Sequence, residues 1–145
     1  MANGSLLERL IDRGDGDRLS VGRLRDNLRR DLEAMLNSRR HILSWSRDLE
    51  QLDNSLLNYG LDDLSNESLS STDFRERFVE DVERLVRRLE PRIARFEVAI
   101  LPNPDELDRT LRFRISGTVT LSGERQELHF DSHVDPIRAQ LVMRG

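Results

Sequence analysis

The 145-residue chain has no cysteine and no lysine, and only one tryptophan and one tyrosine. Without cysteine there is no disulfide, no thiolate zinc site and no thiol nucleophile, a composition that suits a reducing compartment. No apolar run approaches the roughly 20 residues that a bilayer span requires. The start, Met1-Ala2-Asn3-Gly4, lacks the basic and apolar regions of a secretory signal. A cytoplasmic location without membrane insertion is the expectation. The sequence also shows no glycine-rich phosphate loop, no recognisable Ser/His/Asp order, no internal repeat and no low-complexity tract.

What is present is polar. Hydrophobic residues make up 37% and charged residues 34%, with a mean hydropathy of -0.60, so a modest core lies under a highly charged surface. The length is that of a single domain, 1-145. Net charge is -4 with a pI near 5.4, and all 23 basic residues are arginine. Arginine keeps its charge in a dry interface and forms forked pairs with carboxylates, which suits a permanent assembly; codon bias in a GC-rich genome gives the same count. The arginines are interleaved with 27 acids and form no stripe, so nucleic acid is not an expected partner.

Leu6, Leu7, Leu10 and Ile11 have helical spacing before the Gly14-Asp15-Gly16-Asp17 turn, which predicts a peripheral N-terminal element over 1-18. In the helical part, 19-92, Val21, Leu24, Leu28, Leu32, Met35 and Leu36 predict an amphipathic helix from Ser20, a possible N-cap, to Ser38. Periodicity then fades over 39-72, where Trp45, Leu49, Leu52, Leu56, Leu57, Tyr59, Leu61 and Leu64 persist in a long ordered loop. They dock either on their own core or on another subunit. Asp73, with Glu76 three residues on, reads as a capping-box variant. It opens a helix striped by Phe74, Phe78, Val82, Leu85, Val86 and Leu89, which Pro91 should close through its effect on Glu90.

Over 93-145 the period becomes two. Phe96, Val98 and Ile100, then Leu111 to Leu121, then Leu128, Phe130 and Val134 predict three antiparallel strands, with a turn at Ser122-Gly123. Gly117, in mid-strand, predicts a bulge or a close approach by another backbone. The tail Ile137 to Met143 reads as a fourth strand or a loose end. The expected fold class is therefore α+β, with N-terminal amphipathic helices packed on a small antiparallel meander of three to four strands. Such a sheet has edges that another chain can extend.

Chemistry-bearing patterns are few. His129, Asp131 and His133 share a strand face, but positions four apart on a strand lie roughly 13 Å from each other, too far for one ion. A glycan-cleaving carboxylate pair needs a cleft and one acid in an apolar neighbourhood, for which only Glu90 qualifies. Glu90-Pro91-Arg92 sits where the strongest helix hands over to the sheet. Its acid and base can bond the backbone or each other, and a plain helix stop is the simpler reading.

Three segments also carry a resemblance. They are Leu32-Glu33-Ala34-Met35-Leu36-Asn37-Ser38-Arg39-Arg40, Ser55-Leu56-Leu57-Asn58-Tyr59-Gly60-Leu61 and Leu89-Glu90-Pro91-Arg92. In order and spacing the sequence resembles the type VI secretion (TssE) branch of the phage-tail baseplate wedge family, historically called lysozyme-like. Ser38 stands where that family usually has threonine, and Asp62 where proline is common. The resemblance implies a structural baseplate subunit with no catalytic residue, cofactor or metal, despite the family label's hint of a peptidoglycan-cleaving hydrolase. It implies a place in a sixfold hetero-oligomer beside the wedge subunits TssF, TssG and TssK. It also implies templating of the contractile sheath, TssB and TssC, by strand exchange. Partner-binding is expected at Glu90, Pro91 and Arg92, and at Arg39, Asn58, Tyr59 and Gly60.

Overall fold

The computed structural model describes residues 21-40, 48-53, 55, 58-64, 68-105, 107-121, 123-135 and 137-144. The expected helix at Leu6 to Ile11, the Ser20 cap, Trp45, Leu56 and Leu57 lie outside the described residues. Helix α1 spans Val21–Asn37 and buries Leu24, Leu28, Leu32, Met35 and Leu36, the three- and four-residue stripe that its sequence predicts. A single helical turn, α2 (Glu50–Asp53), follows in the long loop. Of that loop's apolar residues, Leu61 and Leu64 are buried in the chain's own core and Tyr59 packs against it, while Leu49 stays half exposed.

Helix α3 (Thr72–Leu89) buries Phe74, Phe78, Val82, Leu85 and Val86. Its cap differs from expectation. Ser71, in extended conformation, accepts from the Phe74 N–H, and Asp73 lies inside the first turn, where the helix dipole favours an acid without needing it as a cap. The helix stops at Leu89, and Glu90 takes a non-helical conformation before Pro91.

Four strands then form an antiparallel meander in the order β1 (Ile93–Leu101), β2 (Leu111–Leu121), β3 (Glu124–Asp135) and β4 (Gln140–Arg144). The fold is α+β, and the tail is a true fourth strand. Alternate residues of each strand enter one core with both long helices. Phe78 meets Phe113 edge-on at 5.1 Å between ring centroids, tying α3 to the middle of the sheet. The β2–β3 register runs unbroken across Gly117. The irregularity lies instead in the facing strand, between Ala94 and Glu97, where Arg95 takes a positive φ of 50°. Gly117 accommodates it: a Cβ there would come within 2.3 Å of Ile93 Cγ2.

Candidate partner-binding site

The handover from α3 to β1 is locked by charge. Arg92 Nε donates to Glu90 Oε1 at 2.6 Å, and Arg92 Nη2 donates both to Glu90 Oε2 and to Asp31 Oδ2 at 2.6 Å. The Arg92 backbone N–H also reaches Glu90 Oε1. One guanidinium therefore joins the end of α3, the start of β1 and the flank of α1. Glu90 is the one buried acid among the described residues, at 7% exposure. Its carboxylate, followed by burial acting in the opposite sense and then by Asp31, leaves the Arg92 guanidinium more basic than usual. Pro91 itself is exposed at the turn.

The other two motif segments meet each other. Beyond α1, Arg39 pairs with Leu61 in a parallel bridge, with Leu61 N–H donating to Ser38 O at 2.9 Å and Arg40 N–H to Leu61 O at 2.8 Å. Gly60 has φ +100°, and a Cβ on it would fall 2.2 Å from the Ser38 carbonyl oxygen, so only glycine fits. Arg40 grips Asp62 with two nitrogens and reaches Asn58 Oδ1, while Arg88 from the last turn of α3 donates to Asn58 O at 2.6 Å. Asp62 thus fixes the turn by charge. Asn58 and Gly60 hold the chain's own fold, as Glu90 and Arg92 do, and Tyr59 packs against the core.

Arg39 and Asn37 lead to the edge of the sheet. Asn37 Nδ2 donates to Leu141 O and Leu141 N–H donates to Asn37 Oδ1, both at 2.8 Å. Arg39 donates to Ala139 O. The side-chain amide behaves as a fifth strand one residue long. Sequence reasoning quoted Asn37 without giving it a role; its one signal is an amide placed just past a helix's last buried residue, before a change of direction.

Because Leu141 turns its N–H and C=O outward, alternation across the observed registers fixes the rest of the sheet. Val134, opposite Leu141, faces β2. Leu111, Phe113 and Ile115 then face β3, while Arg112, Arg114 and Ser116 face β1. On β1, Glu97, Ala99 and Leu101 are consumed by the ladder, and Val98 and Ile100 direct their N–H and C=O groups away from the sheet. Among the described residues no hydrogen bond meets those groups.

The outer face of β3 uses its histidines and acid separately. His129 Nδ1 lies 3.1 Å from Ser116 Oγ, and Asp131 accepts two bonds from Arg114 at 2.6 and 3.1 Å. No group of three His, Asp or Glu residues that could hold an ion occurs among the described residues. Also among these residues, no helix is long and apolar enough to cross a membrane.

The chain is a small α+β domain whose buried acid is neutralised internally and whose sheet, among the described residues, has one edge met by side chains and one edge met by none. The comparisons narrow this description. The family model for baseplate wedge protein gp25 matches residues 22–124, from α1 to the start of β3 and so more than half of the chain, and the chain belongs to that family. One solved structure, the baseplate complex from the type VI secretion system, contains a chain of similar fold. The TM-score is 0.53 at 17% identity, covering 79% of this chain and 96% of that one. No curated protein matches the sequence.

Proposed function

We propose that this chain is a non-catalytic structural subunit of a type VI secretion baseplate, working in the cytoplasm at a baseplate docked on the inner membrane. Family membership and the likeness of fold support the baseplate role. The observation that carries the mode of action is the contrast between the sheet's edges. Asn37 meets β4 at Leu141 and Arg39 meets Ala139 just before it, whereas among the described residues no hydrogen bond meets the outward N–H and C=O groups of Val98 and Ile100. An extended segment of a sheath subunit, TssB or TssC, adds to β1 there and templates the first sheath ring. The bulge at Arg95 confines the added strand to the half of β1 beyond it.

Glu90, Pro91 and Arg92, with Arg39, Asn58, Tyr59 and Gly60, contribute to binding TssF, TssG and TssK by fixing the shape of one end of the domain. Two measurements separate the parts. Co-elution with TssF and TssG should be lost in the Glu90→Ala/Arg92→Ala double variant, and undiminished co-elution removes that site. Capture of TssB–TssC should be lost in Ile100→Pro while wedge binding survives; equal capture by variant and parent rejects the β1 edge. Release of soluble muropeptides from cell walls by the purified chain, abolished by one carboxylate substitution, would overturn the non-catalytic reading.

A further inference from the structure

The outer face of β2, β3 and β4, together with one side chain of α1, frames a concavity that the assembly reading leaves unused. It is lined by Arg25, Arg114, Ser116, His129, Asp131 and Arg144. Arg25 reaches it from the second turn of α1, and Arg144 stands opposite Asp131 in the β3–β4 register. Arg114 is neutralised by Asp131 through two bonds. Arg25 and Arg144 have no hydrogen bond or ion pair among the described residues, and Arg25 Nε is buried with no partner. A protein of net charge -4 thus gathers three guanidiniums around one carboxylate, two of them uncommitted, beside the exposed apolar side chain of Val142.

We propose that this concavity binds an acidic segment of a partner protein, with two carboxylates of that segment engaging Arg25 and Arg144. Guanidinium–carboxylate forks are the strong charge-assisted bonds, and a trough flanked by two free guanidiniums matches acids carried on one extended chain. A nucleic acid backbone is a poorer fit. It needs a continuous run of cations, and here the face is interrupted by Asp131 and Glu127. The site combines the outer sheet face with Arg25 of α1, and its binding does not depend on the baseplate reading.

The test uses the full chain and a fluorescein-labelled octaglutamate peptide, read by anisotropy at low salt, with amide shifts mapping the contact. The Arg25→Gln/Arg144→Gln variant should bind at least about tenfold more weakly, with an unchanged melting temperature because neither side chain bonds the fold. Asp131→Asn removes the built-in competitor and should bind several-fold more tightly. Arg77→Gln/Arg87→Gln makes the same change in net charge on α3 and should stay within about twofold of the parent. The proposal is overturned if this control loses as much affinity as the Arg25/Arg144 pair. Two further results overturn it: shifts that avoid Ser116, His129 and Arg144, or an oligothymidylate of equal charge bound as tightly as the peptide.

Discussion

The two edges of the sheet, β1 and β4, are treated oppositely. At β4 the helix before the long loop ends in Asn37, whose amide satisfies both outward groups of Leu141, and Arg39 satisfies Ala139. At β1, Val98 and Ile100 bury or half-bury their side chains, and among the described residues no hydrogen bond meets their outward backbone groups. Exposed edges invite uncontrolled pairing, and proteins ordinarily blunt them with charge, proline or cover. Among the described residues one edge is closed by dedicated side chains and the other is not, and the strand addition we propose would be restricted to the latter. The bulge at Arg95 shortens the unmet stretch to the half of β1 beyond it.

The contrast breaks most severely if the station behind the closed edge is dismantled. Gly60→Ala puts a methyl group into the Ser38 carbonyl and forces a side chain onto φ +100°. It should cost at least about 3 kcal/mol in a urea melt. Because Ser38 adjoins Asn37 and Arg39, the variant should also expose β4 amides to hydrogen exchange before those of β1. Protection lost equally at both edges would show that the station does not serve β4 in particular.

Two prolines sharpen the open side. The Ala99 N–H is assigned to the ladder and the Ile100 N–H to solvent, so Ala99→Pro should lose about 3 kcal/mol. Ile100→Pro should lose about 1 kcal/mol from side-chain packing alone. The reverse order in thermal melts would mean that the outward groups of β1 belong to the other set of residues. The corner that launches β1 comes next. Glu90→Gln leaves the Arg92 guanidinium with Asp31 as its remaining acid, and a loss of about 3 kcal/mol is expected, in the range for breaking a buried pair from one side.

Much of this architecture was legible in the sequence. The stripes from Leu24 to Leu36 and from Phe74 to Val86, and the alternation through Phe113, Ile115, Phe130 and Val134, report burial directly, since each period belongs to one kind of element. The stop at Pro91 was legible for the same local reason. The cap was not, because Ser71 and Asp73 are both good capping residues and the entry angle of the chain decides between them. The tail was ambiguous because Leu141 and Met143 alone make too short an alternation. The edges were invisible. Which backbone groups face outward depends on the register of four strands and on a bulge, and Asn37 meets Leu141 across 104 positions of sequence. Glu90 and Arg92 stood out as a pair, but nothing local pointed to Asp31, which completes the corner from α1.

A smaller effect is expected at the closed edge itself. Asn37→Ala strips the partner from one donor and one acceptor of Leu141, and water can replace it only in part; about 2 kcal/mol should be lost. The newly bare edge should raise self-association in sedimentation, and Ile100→Pro should not suppress it. Suppression by that proline would mean that the copies join through β1.

The mildest perturbation is acid, and it compares the loop beside each edge. In the β1–β2 loop the Asp108 carboxylate is held down to about 2, first by the Thr110 side chain, then by the Thr110 N–H and Arg112. In the β3–β4 turn the N–H groups of Ile137 and Arg138 lower the Asp135 carboxyl, the Ile137 bond most. Both acids are more acidic in the folded chain, so the unfolded chain takes up protons first. Their stabilisation is complete above the ordinary carboxyl range near pH 4 and is lost as pH falls toward 2. The shift at Asp108 is the larger, so carboxyl-carbon NMR should give Asp135 the higher midpoint. The turn beside the closed edge then loosens before the loop beside the open one. An Asp108 midpoint near 4 would mean that its bonds to Thr110 and Arg112 do not persist in solution, and that the loop between β1 and β2 relies on Asn103, which donates to the Asp108 and Thr110 carbonyls, and on Asp105.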